Sequence, residues 1–290
     1  MSGVAQTIPR RLLGSELKRL RSLAGLSGAE AAAAISKDQS RISKVEDGRA
    51  NLSADDLATL LDLYGVGKTE RKRLLAMGVD ARKREPKKRA YVDTLPGSYR
   101  RLANFESQAS QIIAYERGIL PGLLQCDVYI EAVMAAGDGI YWESSYQERV
   151  DRVSFRLDRQ RMVFQADPPK DLEFILADDA LRTRFGRPQV LRRQIEHVLH
   201  LLDEHPHLSV RLLTATAPDN PAPHAGFMLM RFPEAAPPIG FNSVVYGPST
   251  YLDDPADTDV LTRLFDRLRE MALGKAESRV VLERFLKGAD

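Results

Sequence analysis

SGAEAAAAISKDQSRISKVEDG, residues 27–48, reads as two short helices joined by a tight turn. Ser27 is a favourable N-cap, and Glu30 stands three residues on, the spacing of a capping box. The run from Ala29 to Ala34 makes a helix of little girth, which lets a neighbouring helix come close. Ile35 closes the apolar face of this first helix. Asp38 is the next N-cap, and Gln39, Ser40 and Arg41 form the turn it caps. Ile42 and Val45, three apart, point inward while Lys44 faces outward. Gly48 ends the second helix, as a glycine just past the last turn commonly does.

The flanks extend the helical pattern on both sides. A helix from about Leu13 to Ala24 carries Leu13, Leu17 and Leu20 on one stripe, with Lys18, Arg19 and Arg21 largely off it, and stops at Gly25. Ser53 caps a fourth helix whose first turn holds Asp55 and Asp56, favourable at the positive end of the helix dipole. Leu57, Leu60, Leu61 and Tyr64 form its core stripe. A fifth helix runs from about Lys68 into Ala81. Residues 1–11 read as a loose arm, with Arg10 and Arg11 either solvated or within reach of phosphate. The basic stretch RKREPKKRA, residues 82–90, reads as a solvated linker; it either adds phosphate contacts or is a hinge that touches nothing.

Gln39-Ser40, Ser43 and Glu46-Asp47-Gly48, placed after a first helix of small residues, resemble the lambda-repressor-like (Xre-type) helix-turn-helix family over roughly residues 12–80. The resemblance implies a partner, double-stranded DNA, whose major groove receives the Gln-Ser turn. The residues expected to contact it are Ser27, Lys37, Gln39, Ser40, Arg41, Lys44, Arg49 and Asn51. Gln39 and Arg41 suit adenine and guanine edges, and Lys44 suits phosphate. Two positions depart from the family pattern. Gly28 stands where a polar contact residue is usual, and Ser36 stands where the elbow usually has glycine. If that elbow needs a positive φ, Ser36 carries about 1 kcal/mol of strain.

Beyond the linker the pattern changes. Tyr99, Leu102, Phe105, Ala109, Ile112 and Ile113 recur at helical spacing. GILPGLLQCDVYIEAVM places a turn at Pro121-Gly122 ahead of another helix. Ser145–Phe164 reads as an arginine-rich helix broken by Asp167-Pro168-Pro169. Strands are expected over Leu172–Ala177, Leu208–Leu213, Gly226–Phe232 and Ile239–Tyr246. Helices are expected over Pro188–Leu202, Asp257–Met271 and Glu277–Leu286. The fold class is therefore multidomain: an all-α, five-helix head over residues 1–82, a basic linker over 83–96, and a mixed α+β domain over 97–290.

Tyr99-Arg100-Arg101-Leu102, the ILPGLLQ run, Arg156-Leu157-Asp158-Arg159-Gln160 and LEFILADDALR are similar to the C-terminal domain of WhiJ-like actinobacterial regulators over about residues 97–285. Asp178-Asp179 and Cys126 depart from that pattern. The resemblance implies a domain that binds an effector, either a small molecule or a small partner protein in an antitoxin-like arrangement, and it carries no catalytic residues. Tyr99, Arg156, Arg159 and Gln160 are the candidate contacts, because an apolar ring beside arginines suits an anion or a carboxylate-rich partner. The alternative for the arginines is pairing within the chain.

Charge divides the chain in the same place. Residues 1–90 hold 19 Lys and Arg against 11 Asp and Glu, a balance of +8; the remainder holds 23 against 29, a balance of −6. A basic head on an acidic body suits a DNA-reading module joined to something else. No apolar run is long enough to span a membrane, and MSGVAQTIPRR has no apolar export core. The single cysteine, Cys126, excludes an internal disulfide and a cysteine-based zinc site, and it fits a cytoplasmic location. His197, His200, His205 and His207 are expected to be packed or solvated, not metal ligands. No cofactor and no catalytic motif is expected. The expected function is that of a homodimeric transcriptional regulator, with no enzyme activity. Two rival readings are an enzyme whose head only regulates its own gene, and an antitoxin-like protein that sequesters a small partner.

Overall fold

The computed structural model describes residues 8–82, 91–92, 98–140, 146–233, 236–243 and 249–288. The chain divides into two compact units, with the boundary between Tyr91 and Val92.

The first unit is all helical: α1 (Ile8–Leu23), α2 (Gly28–Ala34), α3 (Gln39–Glu46), α4 (Ala54–Leu63) and α5 (Lys68–Arg82). Leu13, Leu17, Leu20, Ile42, Val45, Leu57, Leu60, Leu61, Leu74 and Met77 are buried together in the single core that amphipathic stripes require. The capping box of Ser27 and Glu30 is formed in both directions. α1 starts earlier than the spacing of leucines indicates, because Pro9 fits a first helical turn, where a missing N–H costs nothing. Arg10 Nε donates to the Ala81 carbonyl at 3.1 Å, and Arg11 is buried. These two arginines therefore brace the head, correcting their assignment to a loose arm. Residues 1–7 of that arm and residues 83–90 of the linker lie outside the described residues.

The second unit is a mixed α+β domain. Its sheet comprises β1 (Tyr91–Val92), which straddles the boundary, β2 (Gln111–Glu116), β3 (Asp171–Ala177), β4 (Leu208–Leu213), β5 (Phe227–Arg231), β6 (Ile239–Asn242) and β7 (Thr250–Leu252). Its helices are α6 (Ser98–Gln108), α7 (Asp127–Gly137), α8 (Tyr146–Phe164), α9 (Pro188–Glu204), α10 (Pro255–Met271) and α11 (Lys275–Leu286). The sheet order is β1-β7-β6-β5-β2-β3-β4. β2, β3 and β4 run parallel, and β5, β6 and β7 continue antiparallel.

Two rows of side chains make its core. On one face Ile113, Tyr115, Ile175, Leu213, Phe227 and Leu229 pack against Leu261, Phe265 and Leu268 of α10. Gly240 sits where an added Cβ would fall 2.4 Å from Leu261 Cδ1, so α10 approaches β6 over a bare backbone. On the other face, register aligns Val210, Phe174, Ala114, Met228, Phe241 and Tyr251 across six strands, all buried. Phe105 of α6 meets Tyr251 edge-on, with ring centroids 5.6 Å apart.

Ile112 and Ile113 do not continue the helix of Tyr99 and Phe105. The helix ends at Gln108, and both isoleucines lie in β2 at the middle of the sheet. A strand buried on both faces is a continuous apolar run, which periodicity alone cannot tell from a helix. The strand expected over Ile239–Tyr246 ends at Asn242, and residues 244–248 lie outside the described residues. β7 was not expected from the sequence, because three residues carry too little pattern.

The ILPGLLQ run is a buried loop, and buried backbone must find partners. Gln160 of α8 donates from Nε2 to the carbonyls of Gly122 and Gln125, both at 2.8 Å. Gln194 of α9 accepts from Cys126 N–H at 2.8 Å and donates to the Leu124 carbonyl at 2.6 Å. Gln125 donates to the Leu120 carbonyl at 2.7 Å. Arg159 lies over Gly122, where an added Cβ would meet its Nη2 at 2.8 Å, and pairs with the fully buried Glu106 at 2.7 Å. Burial pushes the Glu106 carboxyl up to about 7 against the opposing pull of Arg159.

Replacing Gln160 with Met keeps the side-chain length but leaves two buried carbonyls without their donor. The second unit should lose about 2–4 kcal/mol, since an unmet buried polar group costs about 1–3 kcal/mol. Urea unfolding of the full chain measures this; an unchanged midpoint would remove the role assigned to Gln160.

Candidate nucleic-acid interface

The α2–α3 elbow is built by main-chain closure. Ser36 N–H donates to the Ala33 carbonyl at 3.1 Å and Lys37 N–H to the Ala32 carbonyl at 3.0 Å, the paired bonds of a Schellman ending. Ser36 has φ +54°, so the elbow does require the left-handed conformation that glycine normally supplies. α3 ends in the same way, with Gly48 bonded to Val45, Arg49 bonded to Lys44, and φ +72° at Gly48. There glycine is doubly required, because an added Cβ would lie 2.8 Å from the Arg11 backbone nitrogen.

α3 is set against α1 by a contact the sequence does not advertise. A Cβ at Gly14 would lie 2.3 Å from the Val45 carbonyl oxygen and 2.5 Å from that of Glu46. The two helices therefore cross backbone to backbone at Gly14. Next to this crossing, Arg21 grips Glu46 with both arms of its fork, Nε at 2.6 Å and Nη2 at 2.8 Å, and Nη1 donates to the Leu26 carbonyl. The Glu46 side chain is only 7% exposed, and its hydrogen bonds, with its charge behind them, raise the Arg21 pKa against the opposing effect of burial.

With Ile42 and Val45 turned inward, Gln39, Ser40, Ser43 and Lys44 form the outer face of α3. Gln39 folds across the bare backbone of Gly28, whose added Cβ would meet Gln39 Cγ at 3.4 Å. This is the position where a polar contact residue is usual, so Gln39 covers the space that Gly28 leaves. Asp38 accepts from Ser40 Oγ at 2.7 Å and from Arg41 N–H at 2.8 Å. Those bonds, the Ser40 one first, hold its carboxyl below the usual range, so the cap stays charged. The Ser40 proton is thus engaged, leaving its oxygen as an acceptor. Arg41 is half-buried and donates from Nη2 to the Asn51 carbonyl, bracing the loop after α3. Lys37, Lys44 and Arg49 are exposed around this face; Ser27 is exposed and serves as the α2 cap. The side chain of Asn51 is half-buried.

The effector candidates on the second unit fall differently. Arg159 and Gln160 are both buried: Gln160 holds the loop described above, and Arg159 packs over Gly122 and pairs with Glu106. Arg156 is half-buried one turn away. Tyr99 lies in α6, but its side chain is outside the described residues. Among the described residues, no three His, Cys, Asp or Glu side chains gather to hold a metal ion. Burial raises the Cys126 thiol pKa, so it is a poor nucleophile.

The family model of a helix-turn-helix domain matches residues 12–74, and that of a domain of unknown function, DUF5753, matches residues 99–284. No curated protein matches the chain. Among the described residues no helix is long and apolar enough to cross a membrane.

Gly14→Ala should destabilise the head by about 3 kcal/mol, because the methyl meets fixed carbonyls and must push α1 off α3. Ser36→Gly should stabilise it by about 1 kcal/mol by relieving the left-handed residue. Thermal unfolding of the two variants gives opposite shifts in Tm; a Gly14→Ala protein as stable as wild type would rule out the close crossing.

Proposed function

For a chain that belongs to the DUF5753 domain family and carries a helix-turn-helix domain ahead of it, we propose the function of a cytoplasmic transcriptional regulator that reads DNA sequence and acts by binding, without catalysis. The observation that carries this reading is the outer face of α3, where Gln39, Ser43 and Lys44 stand free of the core on a helix whose base is fixed by Gly14 and the Arg21–Glu46 fork. A helix held rigidly at its buried face can enter the major groove as a unit. Gln39 would pair with an adenine edge and Arg41 would offer its remaining donors beside it. Lys37, Lys44 and Arg49 would neutralise phosphates.

A single head of this size contacts few bases, so the active form is proposed to be a homodimer on a pseudo-palindrome with half-sites about 34–36 Å apart. The second unit supports this by leaving Ile140 at 74% and Tyr146 at 75% exposure, apolar area that a second copy would cover. A small molecule or small partner bound to the second unit would then control DNA affinity through the spacing of the two heads. A tenfold loss requires only about 1.4 kcal/mol of preference for the wrong spacing.

Operator sequences selected from a random pool provide the test. Gln39→Ala should lose about 1–3 kcal/mol on the selected operator and little on scrambled DNA. Equal losses on both would mean that Gln39 does not specify sequence. Light scattering should give a dimer for the wild-type chain and a monomer for Ile140→Asp/Tyr146→Asp, with weaker operator binding by the monomer; a monomeric wild type that binds the operator tightly would exclude the dimer.

A further inference from the structure

Residues 182–193, RTRFGRPQVLRR, hold five arginines and no acidic residue, within residues 91–290, whose balance is −6. The structure folds this stretch around a surface cavity of about 280 Å³ lined by Arg184, Arg187, Gln189, Leu191, Arg192 and Phe285. That volume is near the lower end of small-ligand cavities, about 300 Å³.

Three features make the cavity a place for an anion. First, the side chains of Arg184 and Arg187 are exposed and make no ion pair or hydrogen bond among the described residues. Many other arginines of this unit are engaged: Arg117 with Asp179, Arg211 with Glu173, Arg279 with Asp203. Second, the cavity opens at the start of α9, a helix of 17 residues whose N-cap, Arg187, makes no side-chain capping bond. Pro188 has no N–H, so the first amide beyond it is that of Gln189, at the positive end of the helix dipole. Third, the loop that carries the arginines is anchored. Phe185, between them, meets the buried Tyr129 ring edge-on at 5.6 Å, which anchors the loop to α7. On the far wall Arg192 donates to the Leu286 carbonyl at 2.7 Å and pairs with Glu196 at 3.2 Å, so it closes the cavity with much of its charge already balanced. Leu191 and Phe285 supply an apolar wall.

We propose that this cavity binds a small organic oxyanion, a phosphate ester or carboxylate carried on an apolar or aromatic group. The oxyanion would lie between Arg184, Arg187 and the Gln189 amide, with the apolar group against Phe285 and Leu191. Forked guanidinium groups favour such planar recognition. Binding here does not require that the head bind DNA, so the two assignments fail separately.

Phenyl phosphate is the probe, titrated into the full-length chain by calorimetry, with inorganic phosphate as the control for charge alone. Phenyl phosphate should bind saturably at millimolar concentration or below, and inorganic phosphate more weakly. R184Q/R187Q should weaken phenyl phosphate about tenfold or more, a loss of about 1.4 kcal/mol. R184K/R187K should retain part of the binding. Both arginines are exposed, so the variants should fold as wild type does, which circular dichroism checks. Absence of saturable binding to the wild type, or equal binding by R184Q/R187Q, overturns the site. The DNA backbone is the other source of the same oxyanion chemistry. If R184Q/R187Q leaves phenyl phosphate binding unchanged and lowers the salt slope of DNA binding by about 2, the arginines hold DNA phosphates and the small-molecule assignment is wrong.

Discussion

The head depends on the fork of Arg21 on Glu46. One guanidinium joins three pieces of chain: the last turn of α1 that carries it, the last turn of α3 through Glu46, and the α1–α2 connection through the Leu26 carbonyl. Because Glu46 is nearly buried, loss of Arg21 leaves a charge with no solvent to compensate it, a far larger penalty than loss of a surface pair. Gly14 sets how close the two helices lie, and the fork sets their angle and register. The outward direction of Gln39 and Lys44 follows from those two constraints. The Glu46-Asp47-Gly48 signature of the sequence thus has a mechanical meaning: Glu46 holds the helix down and Gly48 lets the chain turn under Arg11.

The second unit applies the same economy to loops. Polar side chains on α8 and α9 reach inward to serve the backbone of residues 120–126, and Lys170 donates from Nζ to the carbonyls of Ser107 and Ala109 at the C-terminal end of α6. At the C-terminal ends of the parallel strands, Asp179 accepts from Arg117 and from Gly118 N–H, while Asp178 accepts from Ala215 N–H. Each aspartate ties β3 to the strand beside it. These are structural duties, and they account for much of the Gln, Arg and Asp in the motifs of this unit.

Charge counts locate function only after pairing is known. Arg19 and Arg73 share Glu16 and Glu70, which neutralises that side of the head despite its basic total. Lys37 and Lys44, by contrast, are exposed beside α3. In the acidic second unit most arginines are paired; Arg184 and Arg187 belong to those with no partner among the described residues, and they are the two unpaired ones that line the cavity at the start of α9. A long-range field comes from such uncompensated groups.

The sequence by itself determined the local events. Caps at Ser27, Asp38 and Ser53, helix stops at glycine, and the proline break after α8 depend on contacts within a few residues, so they can be read from the chain. It also carried the helix-turn-helix signature and the division into a helical head and a mixed α+β body. Tertiary structure alone decided the rest. Gly14 looks like a weak point in an α1 stripe until α3 lies across it. Ile112 and Ile113 fit a helix until neighbouring strands bury them on both faces. Arg159 and Gln160 look like a ligand grip until Glu106 pairs with the first and a loop 35 residues or more away in the chain takes the hydrogen bonds of the second. The physical reason is common to all three: a residue's partner is chosen by packing between segments distant in sequence, and local pattern carries no record of that distance.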